Sequence, residues 1–232
     1  MKLSVIVPIY NERDTIGEIL DRVVAADLDL GGVSVEKELV LVEDCSRDGT
    51  RELLAEVAPP GAKIVYHARN QGKGAAIRTG LAHATGDYVV IQDADLEYDP
   101  TEIRRLLEPV FAGQATTVYG SRFLGKVRKM TLTQWVGNKL LTVLTNVLYG
   151  ASLTDMETCY KLMPGPVARS LRLRAQRFDF EPEVTAKLIR HGERILEVPI
   201  TYSARESNEG KKISWKDGFP ALWALLRYRF VD

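Results

Sequence analysis

The stretch VVIQDADLEYDP, residues 89–100, leaves a buried-strand pattern and sets three acids at alternate positions, Asp93, Asp95 and Glu97. Acids crowded at the carboxyl end of a strand are unfavourable unless water, a basic side chain or a cation offsets them. The fold that presents them can be read outward from this point.

Upstream, strand and helix patterns take turns. Leu3–Tyr10 reads as a strand, and Ile16, Ile19, Leu20, Val23 and Val24 then share one helical face. Leu39–Val42 reads as a second buried strand, followed by SRDGT and a short helix to about Val57. The PPG turn at residues 59–61 leads to a third strand at Lys63–Tyr66, an alanine-rich helix at Gly74–Ala84 and a fourth strand at Tyr88–Ile91. After the acids, Asp99, Pro100 and Glu102 form a capping-box pattern that opens another helix. This alternation predicts an α/β fold with a mainly parallel sheet and helices on both faces. Such sheets bind ligands at the carboxyl ends of their strands, where the acids stand.

Composition narrows the class. The chain has 232 residues, enough for one large domain or a domain with an appendage, and its 31 basic and 31 acidic residues cancel. Neutrality argues against a general nucleic-acid partner. Cys45 and Cys159 lie far apart without CxxC spacing, which suits a reducing, cytoplasmic setting. MKLSVIVPIYNE reads as a first strand and not a signal peptide, and no apolar run reaches membrane-span length. His67, His83 and His191 share no metal-ligand spacing. Cys45 reads as a small packed residue, since no histidine beside it in sequence would activate a thiolate.

Three loops at strand ends are rich in polar residues: PIYNE at 8–12, VEDCSRDGT at 42–50 and the acid triplet. A fourth element, RNQGKGAAIRTG at 69–80, sets Lys73 between Gly72 and Gly74, so that backbone and ammonium can both approach a ligand. It lacks the P-loop spacing, and no GxGxxG follows a strand, which weakens kinase and dinucleotide-cofactor readings.

Taken in order, PIYNE, EDCSRDGT, GKGAA, DADLEYDP, GSR and EVPITY resemble the family 2 glycosyltransferases of the GT-A fold. The resemblance is greatest to the branch that holds dolichyl-phosphate mannose synthases and bacterial polyprenyl-phosphate glycosyltransferases, and it covers about Leu3–Lys212. It implies a nucleotide-sugar donor, with Asp93 and Asp95 as the DxD motif binding Mg²⁺ or Mn²⁺. Hard divalent cations take one or two carboxylates plus substrate phosphates. Glu97 stands where that branch commonly has glutamine, and is a third candidate ligand.

By the same resemblance Pro8, Tyr10 and Glu12 cup the nucleoside, Asp44 reads the base, and Lys73 and Asp93 belong to the donor site. Arg122, expected just after a fifth strand, would offer its guanidinium fork to the acceptor phosphate, ahead of Arg128 and Lys129. Asp155 matches the acid of the family's D-x-x-x-G-F/Y segment. Glu181 lies near the sugar or caps its helix, and Arg205 and Lys212 belong to a mobile loop that closes over the diphosphate, with Gly210 as its hinge.

The implied reaction is inverting transfer of glucose or mannose to a polyprenyl or dolichyl phosphate, with Asp95, Asp155 and Arg122 as catalytic residues. An anionic phosphate acceptor needs no strong base, whereas a hydroxyl acceptor would make Asp155 the first candidate base. A hydroxyl acceptor and a non-catalytic nucleotide-sugar-binding protein are the alternatives. The catalytic domain is expected over 1–205, followed by a mobile loop and amphipathic helix over 206–232. There Trp215, Phe219, Trp223 and Phe230 stand with Lys216, Arg227 and Arg229, which suits a membrane interface; Leu140, Leu141, Leu144 and Leu148 form a second apolar stripe. Packing on the core or on another subunit is the competing reading, and an oligomer stays open.

Overall fold

A computed structural model describes residues 1–205 and 218–231. Seven strands form one sheet in the order β3-β2-β1-β4-β6-β5-β7. They are β1 (Lys2–Ile9), β2 (Glu36–Glu43), β3 (Lys63–Tyr66), β4 (Tyr88–Ile91), β5 (Thr117–Arg128), β6 (Lys161–Pro164) and β7 (Ile195–Ser203). Pairing is parallel through β3, β2, β1 and β4 and again between β5 and β7; β6 runs antiparallel to both neighbours. The helices are α1 (Ile16–Ala25), α2 (Thr50–Val57), α3 (Lys73–His83), α4 (Ile103–Phe111), α5 (Leu132–Tyr149), α6 (Gly165–Ser170), α7 (Phe180–Arg190) and α8 (Gly218–Phe230).

The central strands behave as strands buried on both faces do, with near-continuous apolar runs. Val5, Ile6 and Val7 of β1 and Val40, Leu41 and Val42 of β2 are wholly buried. Helix α3 approaches β1 closely because Gly80 has no side chain: a Cβ there would collide with Ile6. The apolar face of α1 holds Ile16, Ile19, Leu20 and Val23, whereas Val24 turns out to solvent.

Three details differ from the sequence reading. Asp99 caps a 3-10 turn at Pro100–Glu102 by accepting from the Thr101 N–H, but the Glu102 carboxylate reaches away to the Thr201 N–H and leaves the box open. Strand β5 continues past Arg122, and its ladder with β7 skips between Ser121 and Lys126, an irregularity of the kind that re-aims a side chain. The expected stripe of Leu140, Leu141, Leu144 and Leu148 is split, because the last three pack inward with Leu225 of α8 while Leu140 faces out. Helix α8 buries Ala221, Ala224, Leu225 and Tyr228, and the Tyr149 hydroxyl of α5 donates to the Leu225 carbonyl at 2.6 Å.

Candidate active site

The carboxyl ends of β1, β2 and β4 open into a cavity of about 390 Å³. Its walls include Pro8, Tyr10, Glu12, Asp44, Lys73, Asp93, Asp95, Glu97 and Arg205, which brings together nine residues singled out in the sequence. Asn70, Gln134, Arg177, Phe178 and Tyr202 also line it and had no individual expectation. Lys212 lies outside the described residues.

The acids face two cations. Lys73 Nζ sits 2.9 Å from Asp93 and 3.1 Å from Glu181. Burial opposes charge on Lys73, but Asp93 and Glu181 overcome that penalty and hold its pKa well above lysine's usual value. Burial likewise works against the Asp93 carboxylate, and Lys73 more than offsets it, so Asp93 titrates below its ordinary range. Arg205, at the end of β7, reaches across to Asp95 at 2.6 Å and to both oxygens of Glu12 at 2.9 and 3.0 Å. Even so, burial together with Asp93 and Glu97 pushes the Asp95 carboxyl up to about 7.

Among the described residues negative charge is in excess: Asp93, Asp95, Glu97 and Glu181 meet Lys73 and Arg205. That surplus fits a divalent cation. Among the described residues no three acids, histidines or cysteines converge as a ready-made metal cage. The set resembles sites in which one or two carboxylates hold the ion and substrate phosphates complete its shell. Glu97 has other partners: it accepts from the Tyr202 hydroxyl at 2.9 Å and from the Arg205 N–H at 2.8 Å. These bonds make it an anchor for the chain just past β7, while it still lines the cavity beside Asp95.

Asp44 lines the cavity and also binds its own chain. Its two oxygens face a His67 ring nitrogen at 2.7 Å, the N–H groups of Gln71 and Gly72 at 2.8 and 2.7 Å, and the Asn70 amide at 2.9 Å. A carboxylate has about four lone-pair directions, and here they hold the 70–72 turn. His67 passes the contact on to the Thr79 hydroxyl at 2.9 Å. Gly72 has φ of +93°, and a Cβ there would strike the Gln176 carbonyl; one on Gly74 would lie 2.9 Å from Ala175. The two glycines beside Lys73 thus seat the turn against the 175–177 backbone.

Arg122 and Asp155 bind each other. The guanidinium donates to both Asp155 oxygens at 2.7 and 2.8 Å, the Arg122 N–H adds a bond of 2.9 Å, and both residues are buried. Neither lines the cavity. The expected phosphate fork and the candidate base are joined in a closed ion pair that pins β5 to the 154–155 segment. The Glu181 carboxylate keeps one oxygen on Lys73, while its other oxygen is buried with no partner among the described residues. Cys45 is a packed loop residue with its Sγ 3.7 Å from the Ala68 carbonyl.

Three kinds of comparison bear on this arrangement. Among curated proteins, the undecaprenyl-phosphate 4-deoxy-4-formamido-L-arabinose transferase of Edwardsiella ictaluri is 32% identical over 215 residues, covering 90% of this chain and 62% of its own length. The low-salt glycan biosynthesis hexosyltransferase Agl6 of Haloferax volcanii is 31% identical over 233 residues, covering 99% of this chain and 53% of its own. The chain thus spans little more than half the length of these relatives. Among solved structures, glucosyl-3-phosphoglycerate synthase from Mycobacterium tuberculosis, in complex with Mn²⁺, UDP-glucose and phosphoglyceric acid, superposes with a TM-score of 0.74 at 20% identity, covering 100% of this chain and 80% of that one. That likeness establishes the GT-A fold. The family model for glycosyl transferase family 2 matches residues 4–163, a span that carries β1 to β4, the Lys73 turn and the acid triplet; the chain belongs to that family.

Proposed function

We propose that this protein transfers a hexose from a nucleotide sugar to the phosphate of a polyprenyl phosphate. The observation that carries the reading is the acid cluster at the carboxyl edge of the sheet, where among the described residues Asp93, Asp95, Glu97 and Glu181 meet only Lys73 and Arg205. The relative from Edwardsiella ictaluri, an undecaprenyl-phosphate sugar transferase by name, supports the acceptor class.

Asp93 and Asp95 would hold Mg²⁺ or Mn²⁺, which when bound neutralises the leaving diphosphate. Lys73 and Arg205 also line the cavity and supply further positive charge toward that group. Pro8, Tyr10 and Asn70 line the side on which the nucleoside would rest. In the proposed step an acceptor phosphate oxygen forms a bond to the anomeric carbon while the carbon–oxygen bond to the diphosphate breaks. The configuration inverts, and the nucleoside diphosphate leaves with the electron pair. The acceptor oxygen is already anionic near neutral pH, so no base is required, in keeping with the engagement of Asp155 by Arg122.

The test is incubation with radiolabelled UDP-glucose or GDP-mannose, Mg²⁺ or Mn²⁺ and undecaprenyl phosphate, followed by organic extraction. Label in the organic phase is the expected result. Label confined to a water-soluble product would move the acceptor to a hydroxyl compound, and binding without turnover of any donor would point to a non-catalytic protein.

A further inference from the structure

Helix α5 is apolar on both sides: Leu141, Leu144 and Leu148 pack inward, yet its outer face is apolar too. Thr142 and Thr145 are buried and return their hydroxyls to the helix carbonyls of Asn138 and Leu141 at 2.8 Å. The opposite face exposes Leu132 at 76%, Trp135 at 46%, Val136 at 50%, Leu140 at 67%, Val143 at 56% and Val147 at 75%. At 100° per residue these six fall within one arc of about 140°. A helix side that met only water would carry charges there; the only charged residue in α5 is Lys139, which lies over the Phe123 ring at 3.9 Å and is half-buried.

The charges in the segment that carries this face are of one sign. From Arg122 to Thr154 the chain carries Arg122, Lys126, Arg128, Lys129 and Lys139 and not one Asp or Glu. Lys126 and Arg128 are exposed at the end of β5, which leads into α5. The adjoining α8 repeats the pattern, with Trp223, Leu226 and Phe230 exposed beside Arg227 and Arg229.

We infer that the outer face of α5 seats the protein on an anionic membrane surface, with its apolar side chains in the headgroup boundary and Lys126 and Arg128 against lipid phosphates. A second copy of the chain would set basic residues against basic residues across a two-fold axis, whereas anionic lipid neutralises them. Exposed tryptophans suit an interface that is apolar at one depth and wet at another. The first turn of α5 also reaches the active-site cavity through Gln134, one residue from Trp135. Seating on this face therefore brings the cavity mouth toward the bilayer, a consequence that rests on the lipid-phosphate reading; the attachment itself does not.

Vesicle flotation tests this without any turnover. The full chain should float with phosphatidylglycerol-containing vesicles and remain below with pure phosphatidylcholine. The V143E/V147E variant, altered only at exposed positions, should weaken anionic-vesicle binding by about tenfold or more, since two apolar contacts are exchanged for repelled charges. It should keep the wild-type Tm and turnover on a short, water-soluble prenyl phosphate. K126Q/R128Q should weaken binding most at low salt. Absence of flotation with every vesicle, flotation unchanged by V143E/V147E, or a solution dimer that this variant dissolves would each overturn the inference. Loss of flotation with turnover retained would leave the proposed reaction standing, and the converse would leave the membrane face standing.

Discussion

Asp155→Asn separates a structural role from a chemical one. The substitution keeps shape but removes the charge opposite Arg122 and turns one acceptor oxygen into an amide that donates toward N–H groups. Both partners are buried, so the guanidinium cannot recover its lost contacts from bulk water. Breaking one side of a buried pair costs about 3–5 kcal/mol. For a chain of this size that lowers Tm by roughly 6–20 °C. Thermal unfolding followed by circular dichroism measures it. The double variant R122M/D155L replaces the pair with apolar groups and should recover much of the loss, because no charge is then left buried alone. If D155N melts within about 2 °C of the parent while turnover disappears, the carboxylate serves the chemistry and the structural reasoning is wrong.

Further outcomes follow from other contacts. Arg205→Lys removes the fork shared by Glu12 and Asp95, and should raise the donor KM by about tenfold, the worth of one charge-assisted bond; an unchanged KM would detach Arg205 from the donor side. Gly72→Ala forces a side chain into the Gln176 carbonyl at positive φ and should cost roughly 2–5 kcal/mol, read as a clear fall in Tm. Burial works against the Glu38 carboxylate, but hydrogen bonds from Lys63, Ser4 and Thr85 prevail and hold its pKa well below the usual 4.5. Its stabilisation is thus complete above the unfolded value and drains away as pH falls toward the folded one. Glu38→Gln should flatten the acid side of the Tm-against-pH curve, and an unaltered slope would count against the network. EDTA should abolish turnover and Mn²⁺ or Mg²⁺ restore it; full activity in chelator would remove the cation from the proposed reaction.

Much of this molecule was legible in its sequence. Strand and helix periods placed β1 to β4 and α1 to α3 within a few residues, since central parallel strands must be apolar on both faces. The acid triplet pointed to the cavity because strand ends gather there. What stayed hidden depends on tertiary contacts. Strand β6 is four residues long and ends at Pro164, too short to show a period. Arg122 looked available because nothing local announces that Asp155, 33 positions away, lies opposite its fork. Gln134, Phe178 and Tyr202 reach the cavity from three separate elements or loops, and no spacing links them. The apolar outer face of α5 was half visible: the leucines were noticed, but only packing tells which of them point inward.

The four-fold engagement of Asp44 bears on how donor preference could be altered. Its carboxylate is committed to the 70–72 turn and His67, so any contact with a base would be made by a group that also holds the fold. Swapping the residue at position 44 would unfasten the turn that carries Lys73, so libraries randomised there would sort for foldability. Engineering of base selectivity is better aimed at Pro8 of the PIYNE segment, which borders the same hollow and has no side-chain polar group to hold a turn.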